Sequence, residues 1–90
     1  MTKPVEIASK PKPQYTDEAR ALKLEGEVWL EVLFAADGSV RVQRVLRSLG
    51  HGLDENATKA AGQIRFRPAE KDGQPVDQVA TIRVQFQLAN

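Results

Sequence analysis

The stretch EVWLEVLFAADGSVRVQRVLRS, residues 27–48, decides the fold. Val28, Leu30, Val32 and Phe34 alternate with Trp29, Glu31 and Leu33. Period two with β-branched and aromatic residues predicts a strand with one buried face. Asp37-Gly38 then marks a turn, because glycine accepts a positive φ without steric cost. Val40 and Val42 resume the alternation and Val45 breaks its parity, which predicts a bulge near Gln43-Arg44. The stretch therefore reads as a long antiparallel hairpin.

Downstream, Leu49-Gly50-His51-Gly52 reads as a loop and Asp54 as the N-cap of a helix. Ala57, Ala60, Ala61 and Ile64 fall on one helical stripe, and small alanines let a helix lie close on a sheet. Pro68 ends that pattern, with residues 65–67 starting an extended segment. Lys71-Asp72-Gly73 is a second turn. In the last stretch, residues 76–88, Ile82, Val84, Phe86 and Leu88 alternate with Thr81, Arg83, Gln85 and Gln87, predicting a strand with one apolar and one polar face. Upstream, Thr16 caps a short helix with Asp17 and Glu18 in its first turn, where the helix dipole favours acids. Ala19, Leu22 and Leu24 are its apolar side and Gly26 its stop. Residues 1–13 carry Pro4, Pro11 and Pro13 with Lys3, Lys10 and Lys12, and read as an extended linker. The domain then spans residues 14–90. The order helix, strand, strand, helix, strand predicts an α+β fold: a three-stranded antiparallel sheet with two helices packed on one face.

Ninety residues suffice for one domain and not for two. A hydrophobic share of 41% and a charged share of 28% argue against a wholly disordered chain. The net charge of +1 gives no general attraction to nucleic acid or anionic membrane. Without cysteine there are no disulfides, thiolate zinc sites or cysteine nucleophiles. No apolar run approaches the roughly 18–20 residues that cross a membrane, and the N-terminus lacks the apolar core of a signal peptide. An export signal, if the domain works outside the cytoplasm, is expected on sequence preceding residue 1.

Chemistry is sparse. His51, between two glycines, reads as a solvated loop residue without a second histidine for a transition-metal site. Asp54 and Glu55 are adjacent at a helix start, so they diverge instead of forming an acid/base pair. The serines lack a nucleophile elbow, and no phosphate-cradling glycine loop is present. No catalysis and no cofactor are expected. Arg41, Arg44 and Arg47, with Arg65-Phe66-Arg67, could form a basic face for nucleic acid; charges that protect a strand edge from aggregation explain them better. Trp29 has the parity of the second sheet face, and packing under the first helix or the linker explains it better than service as an exposed partner anchor.

A three-stranded sheet leaves two edges. If the last strand pairs with the first, the edges are the second strand, which is bulged and rich in arginine, and the last. The last is regular over residues 79–88, with Arg83 its one outward charge, and is the better edge for an added peptide strand.

PQYTDEARALKLEGEVWLEVLFAADGSV resembles the opening of the TonB C-terminal domain family, in Pro13, Tyr15, Ala19, Gly26, Val28, Leu30, Val32, Asp37, Gly38 and Val40. VLRSLGHGLDENATKAAGQIRFRPAEKDGQPV is similar to the family's loop, Leu-Asp helix start, alanine-rich helix and Arg-Phe-x-Pro-Ala, and VQFQL to its closing strand. The likeness spans about residues 13–88. Where the family has Tyr-Pro this chain has Tyr15-Thr16, and Ile64 replaces a common Trp. The resemblance implies a periplasmic domain at the end of a Pro-rich stalk, on a protein anchored in the inner membrane with ExbB and ExbD-like partners. It implies binding of an extended segment of an outer-membrane transporter, as an added strand, and transmission of force.

The expected partner-binding residues are Val79, Ala80, Thr81, Arg83, Gln85 and Gln87 on the last strand, with Gln14 and Tyr15 touching the partner's flank. A structural adaptor that self-associates through the same edge, as a homodimer, is the alternative from another class. A nucleic-acid module using the arginines is the third.

Overall fold

The computed structural model describes residues 1–88. Five short strands and two helices lead into or flank a central three-stranded sheet. In chain order the elements are β1 (Thr2–Lys3), β2 (Glu6–Ser9), α1 (Asp17–Ala21), β3 (Gly26–Phe34) and β4 (Val40–Arg47). They continue with α2 (Leu53–Ala61), β5 (Arg65–Arg67), β6 (Ala69–Lys71), β7 (Gln74–Val76) and β8 (Gln78–Phe86). The central sheet has the order β4-β3-β8, antiparallel throughout. This is the α+β arrangement the periodicity predicts, with the last strand against the first.

The hairpin turn forms where expected. Ala35 N donates to Ser39 O at 2.9 Å, Gly38 takes φ +92°, and the Asp37 carboxylate accepts from Ser39 N at 2.9 Å and Oγ at 2.7 Å. Those hydrogen bonds from Ser39 hold the Asp37 carboxyl below its ordinary value. In the β3–β4 register, Gln43 and Leu46 are both skipped, so the expected bulge at Gln43 is joined by a second at Leu46.

Val28, Leu30, Val32 and Phe34 of β3 are fully buried, with Val84 and Phe86 of β8 beside them. The helices cover this face through Ala19 of α1 and Leu53, Ala57 and Ala61 of α2. Each large side chain buried here stabilises by roughly 1.5–3 kcal/mol before entropy is counted. Phe34 and Phe66 meet edge to face at 4.8 Å, closing the end of the core near β5.

Several local expectations are corrected. Helix α1 is only five residues long. Thr16 caps it, accepting from Ala19 N at 3.1 Å, but Lys23 at φ 55° follows its end, and Gly26 opens β3 instead of stopping the helix. Leu22 is 58% exposed and so stands off the apolar side. Gly52, in a left-handed conformation, caps α2 in place of Asp54. The Asp54 carboxylate turns back to the preceding loop, accepting from Ser48 Oγ, Leu49 N and Gly50 N. Burial there raises its pKa, but these three hydrogen bonds win and hold the carboxyl below its ordinary value.

Residues 2–3 and 6–9 are extended, as expected, but they are also paired. β1 joins β6, and β2 joins β5, both antiparallel. β6 and β7 form a hairpin around Asp72-Gly73, both at positive φ (53° and 80°), which matches a tight two-residue turn.

Candidate functional site

β8 is nine residues long and pairs with β3 in unbroken register, from Gln78 opposite Phe34 to Phe86 opposite Gly26. Among the described residues, no strand is hydrogen-bonded to its other side. An antiparallel residue directs its N–H and C=O to the same side, and its neighbours direct theirs to the other. Ala35 N binds Ser39 O in the hairpin, so the odd residues of β3 face β4 and the even ones face β8. The partners of those odd residues on β8, namely Val79, Thr81, Arg83 and Gln85, therefore direct both backbone groups outward. Their side chains are exposed on the sheet face opposite the helices, and Val79 keeps 49% of its surface in solvent.

Ala80, another expected contact, is half-buried, and its backbone points inward to Val32. Gln87 lies just past the end of β8. Tyr15 stacks edge to face on Phe86 at 5.5 Å and donates its hydroxyl to Leu24 O at 2.9 Å. Desolvation and the Glu25 carboxylate raise its pKa against the opposing Arg20 guanidinium. Gln14 does not reach β8 by a hydrogen bond; its carbonyl accepts from Asn56 Nδ2 of α2 at 2.7 Å.

Trp29 lies on the sheet face opposite the helices, so it does not pack under the first helix. It is half-buried on the open sheet face between two guanidiniums, Arg83 at 4.7 Å and Arg47 at 5.5 Å from the ring centroid. Arg44 is likewise engaged, with Nε 3.1 Å from Glu31 Oε2. Arg83, Arg47 and Arg44 thus carry local partners. His51 lies with Nδ1 3.2 Å from Glu18 Oε1, and among the described residues no three His, Asp or Glu side chains gather as a metal site. Among the described residues, no helix is long and apolar enough to cross a membrane.

Two contacts to β8 have no sequence signal. Lys10 Nζ donates to Arg83 O at 2.6 Å, and Val5 N donates to Gln78 Oε1 at 3.1 Å. Between residues 10–13 and Glu27, Arg83, Val84 and Gln85 lies an open cleft of about 390 Å³. A sequence gives no hint that a lysine in a Pro-Lys tract reaches a carbonyl on a strand so distant along the chain.

The model of the Gram-negative bacterial TonB protein C-terminal family matches residues 11–88. The chain belongs to that family. The Protein TonB of Vibrio cholerae serotype O1 is 34% identical over 87 residues, covering 96% of this chain and 36% of that protein. The chain thus spans little more than a third of this TonB relative. In fold it resembles the solution structure of the Pseudomonas aeruginosa TonB C-terminal domain, with a TM-score of 0.66 and 22% identity, covering 96% of this chain and 88% of the other.

Proposed function

We propose that this TonB C-terminal domain is the periplasmic, partner-binding end of an energy transducer anchored in the inner membrane. It grips an extended segment of an outer-membrane transporter as a strand added to β8. The rest of the transducer would work with ExbB- and ExbD-like proteins and deliver force through the domain. The observation that carries the reading is the inequality of the two sheet edges. β4 is bulged twice, whereas β8 runs nine residues in register and turns the backbone groups of Val79, Thr81, Arg83 and Gln85 outward. Neither catalysis nor a cofactor enters this mechanism.

Main-chain hydrogen bonds would supply most of the grip, so affinity should tolerate side-chain changes in the bound segment. The test is a titration of labelled domain with a candidate transporter segment, followed at backbone amides. The largest shifts should fall in residues 79–87, with smaller ones at Gln14 and Tyr15, while α2 stays quiet. A segment N-methylated on its pairing edge should bind at least about tenfold more weakly. Equal binding by the methylated segment, or shifts centred on Arg41, Arg44 and Arg47, would reject strand addition.

A further inference from the structure

Residues 5–13 run beside β8 in the same direction as that strand. Residue 5 is held at Gln78 and residue 10 at Arg83. Neither hold is a main-chain ladder: one uses the Gln78 side chain, the other the Lys10 side chain. The ladder of this segment is made on its other flank, where β2 pairs with β5. Beyond Lys10 the segment cannot fully pair with β8, because Pro11 and Pro13 have no N–H to give. The gap left there is the cleft of about 390 Å³ in front of Arg83–Gln85.

We propose that this segment is a strap along the accepting edge and that Lys10 is its latch, displaced when a strand is added. The inference rests on the strand-addition reading above. Arg83 belongs to the outward-facing set, so its carbonyl is one of the acceptors an incoming strand must use. An ammonium has three donors and no acceptor, so Lys10 satisfies the Arg83 carbonyl and cannot serve the Arg83 N–H beside it. A peptide strand offers both a donor and an acceptor at that position, and therefore replaces the lysine with a better match. The latch is also weakly held. Its hydrogen bond is exposed, and among the described residues no carboxylate forms an ion pair with Lys10. Its flexible stem can swing into solvent without disturbing the β2–β5 pairing. The latch thus keeps the edge capped when no partner is present and gives way to a strand that pairs at Arg83.

The test compares the wild-type chain with Lys10→Ala and Lys12→Ala. Lys12 lines the same cleft, and its substitution removes the same charge. The probe is a capped peptide of alternating Thr and Val residues, titrated calorimetrically. Lys10→Ala should bind it about threefold to tenfold more tightly, and Lys12→Ala as the wild type does. In the peptide-free proteins, the carbonyl carbon of Arg83 should change its NMR shift in Lys10→Ala and not in Lys12→Ala. Equal tightening in both variants, or weaker binding by Lys10→Ala, would overturn the latch. If the peptide binds none of the three proteins, strand addition is what fails, and the Arg83 carbonyl alone judges the latch: a shift unchanged by Lys10→Ala overturns it.

Discussion

The Tyr15 ring stands edge-on to the Phe86 ring, with centroids 5.5 Å apart and planes at 77°. This contact ties the segment before α1 to the last residue of β8. It joins an expected flank residue to the buried end of the strand proposed to accept the partner, so position at that edge and stability of the core depend on the same aromatic pair.

Phe86 is 2% exposed, and its replacement leaves a cavity that the neighbouring helices cannot easily close. Phe86→Ala should cost about 3–5 kcal/mol and lower the melting temperature sharply. Gln85→Ala, on the exposed face, should melt as the wild type does.

Gly26 opens β3 at φ +150°, and a Cβ there would lie 2.9 Å from Leu49 Cδ2. Gly26→Ala should destabilise by about 1–3 kcal/mol, through backbone strain and displacement of Leu49. A shift of the urea midpoint with an unchanged slope is the expected signature.

Asp54 gives the acid side of the stability curve a definite sign. Its carboxyl is held below the ordinary value of 3.8, so the folded state binds a proton less readily than the unfolded one. The stabilisation is fully present above the unfolded pKa and is lost as pH falls through the folded pKa. Asp54→Asn should therefore be less stable than the wild type at neutral pH, and the difference should shrink below about pH 4. Denaturant melts across that range check it.

Trp29 is the single tryptophan of the chain and lies 4.7 Å from the Arg83 guanidinium carbon. Arg83→Ala should uncover one ring face and shift the fluorescence emission to longer wavelength. In the wild type, a strand added beside Arg83 should change the emission during titration, giving a label-free binding curve.

Arg44 is paired with Glu31, and Arg47 stacks on Trp29. DNA binding at physiological salt should therefore be weak, and changed little by Arg41→Glu combined with Arg44→Glu. Fluorescence anisotropy with labelled single and double strands would reveal the opposite as a sub-micromolar, steeply salt-dependent affinity.

What the sequence disclosed follows from periodicity. Val28 to Phe34 and Ile82 to Phe86 each declare a buried face by alternation, and the broken parity at Val45 declares a bulge. The second bulge at Leu46 leaves no separate mark, because the exposed end of β4 has no buried parity to break. The pairing of residues 6–9 with 65–67 was hidden for another reason: prolines announce an extended chain but say nothing of which distant strand it meets. Asp54 has the residue type and position of a helix cap, yet the donors of Ser48, Leu49 and Gly50 competed for its oxygens and won. At the edge itself, alternation separated Val79, Thr81, Arg83 and Gln85 from their inward neighbours. Ala80 faces inward and Gln14 is held by α2, because backbone direction and tertiary hydrogen bonds are absent from composition.

The two skipped residues on β4, Gln43 and Leu46, would also set a valence for strand addition. A sheet with two regular edges can add strands on both sides and grow without limit into a fibre. With one edge spoiled, growth ends after a single addition. Two copies meeting through β8 would close on each other and leave nothing for a third. If β8 is the accepting edge, a bound segment and a second copy would be mutually exclusive occupants, partner-to-domain stoichiometry would be one to one, and rising concentration of the domain would compete with the bound segment instead of nucleating a filament.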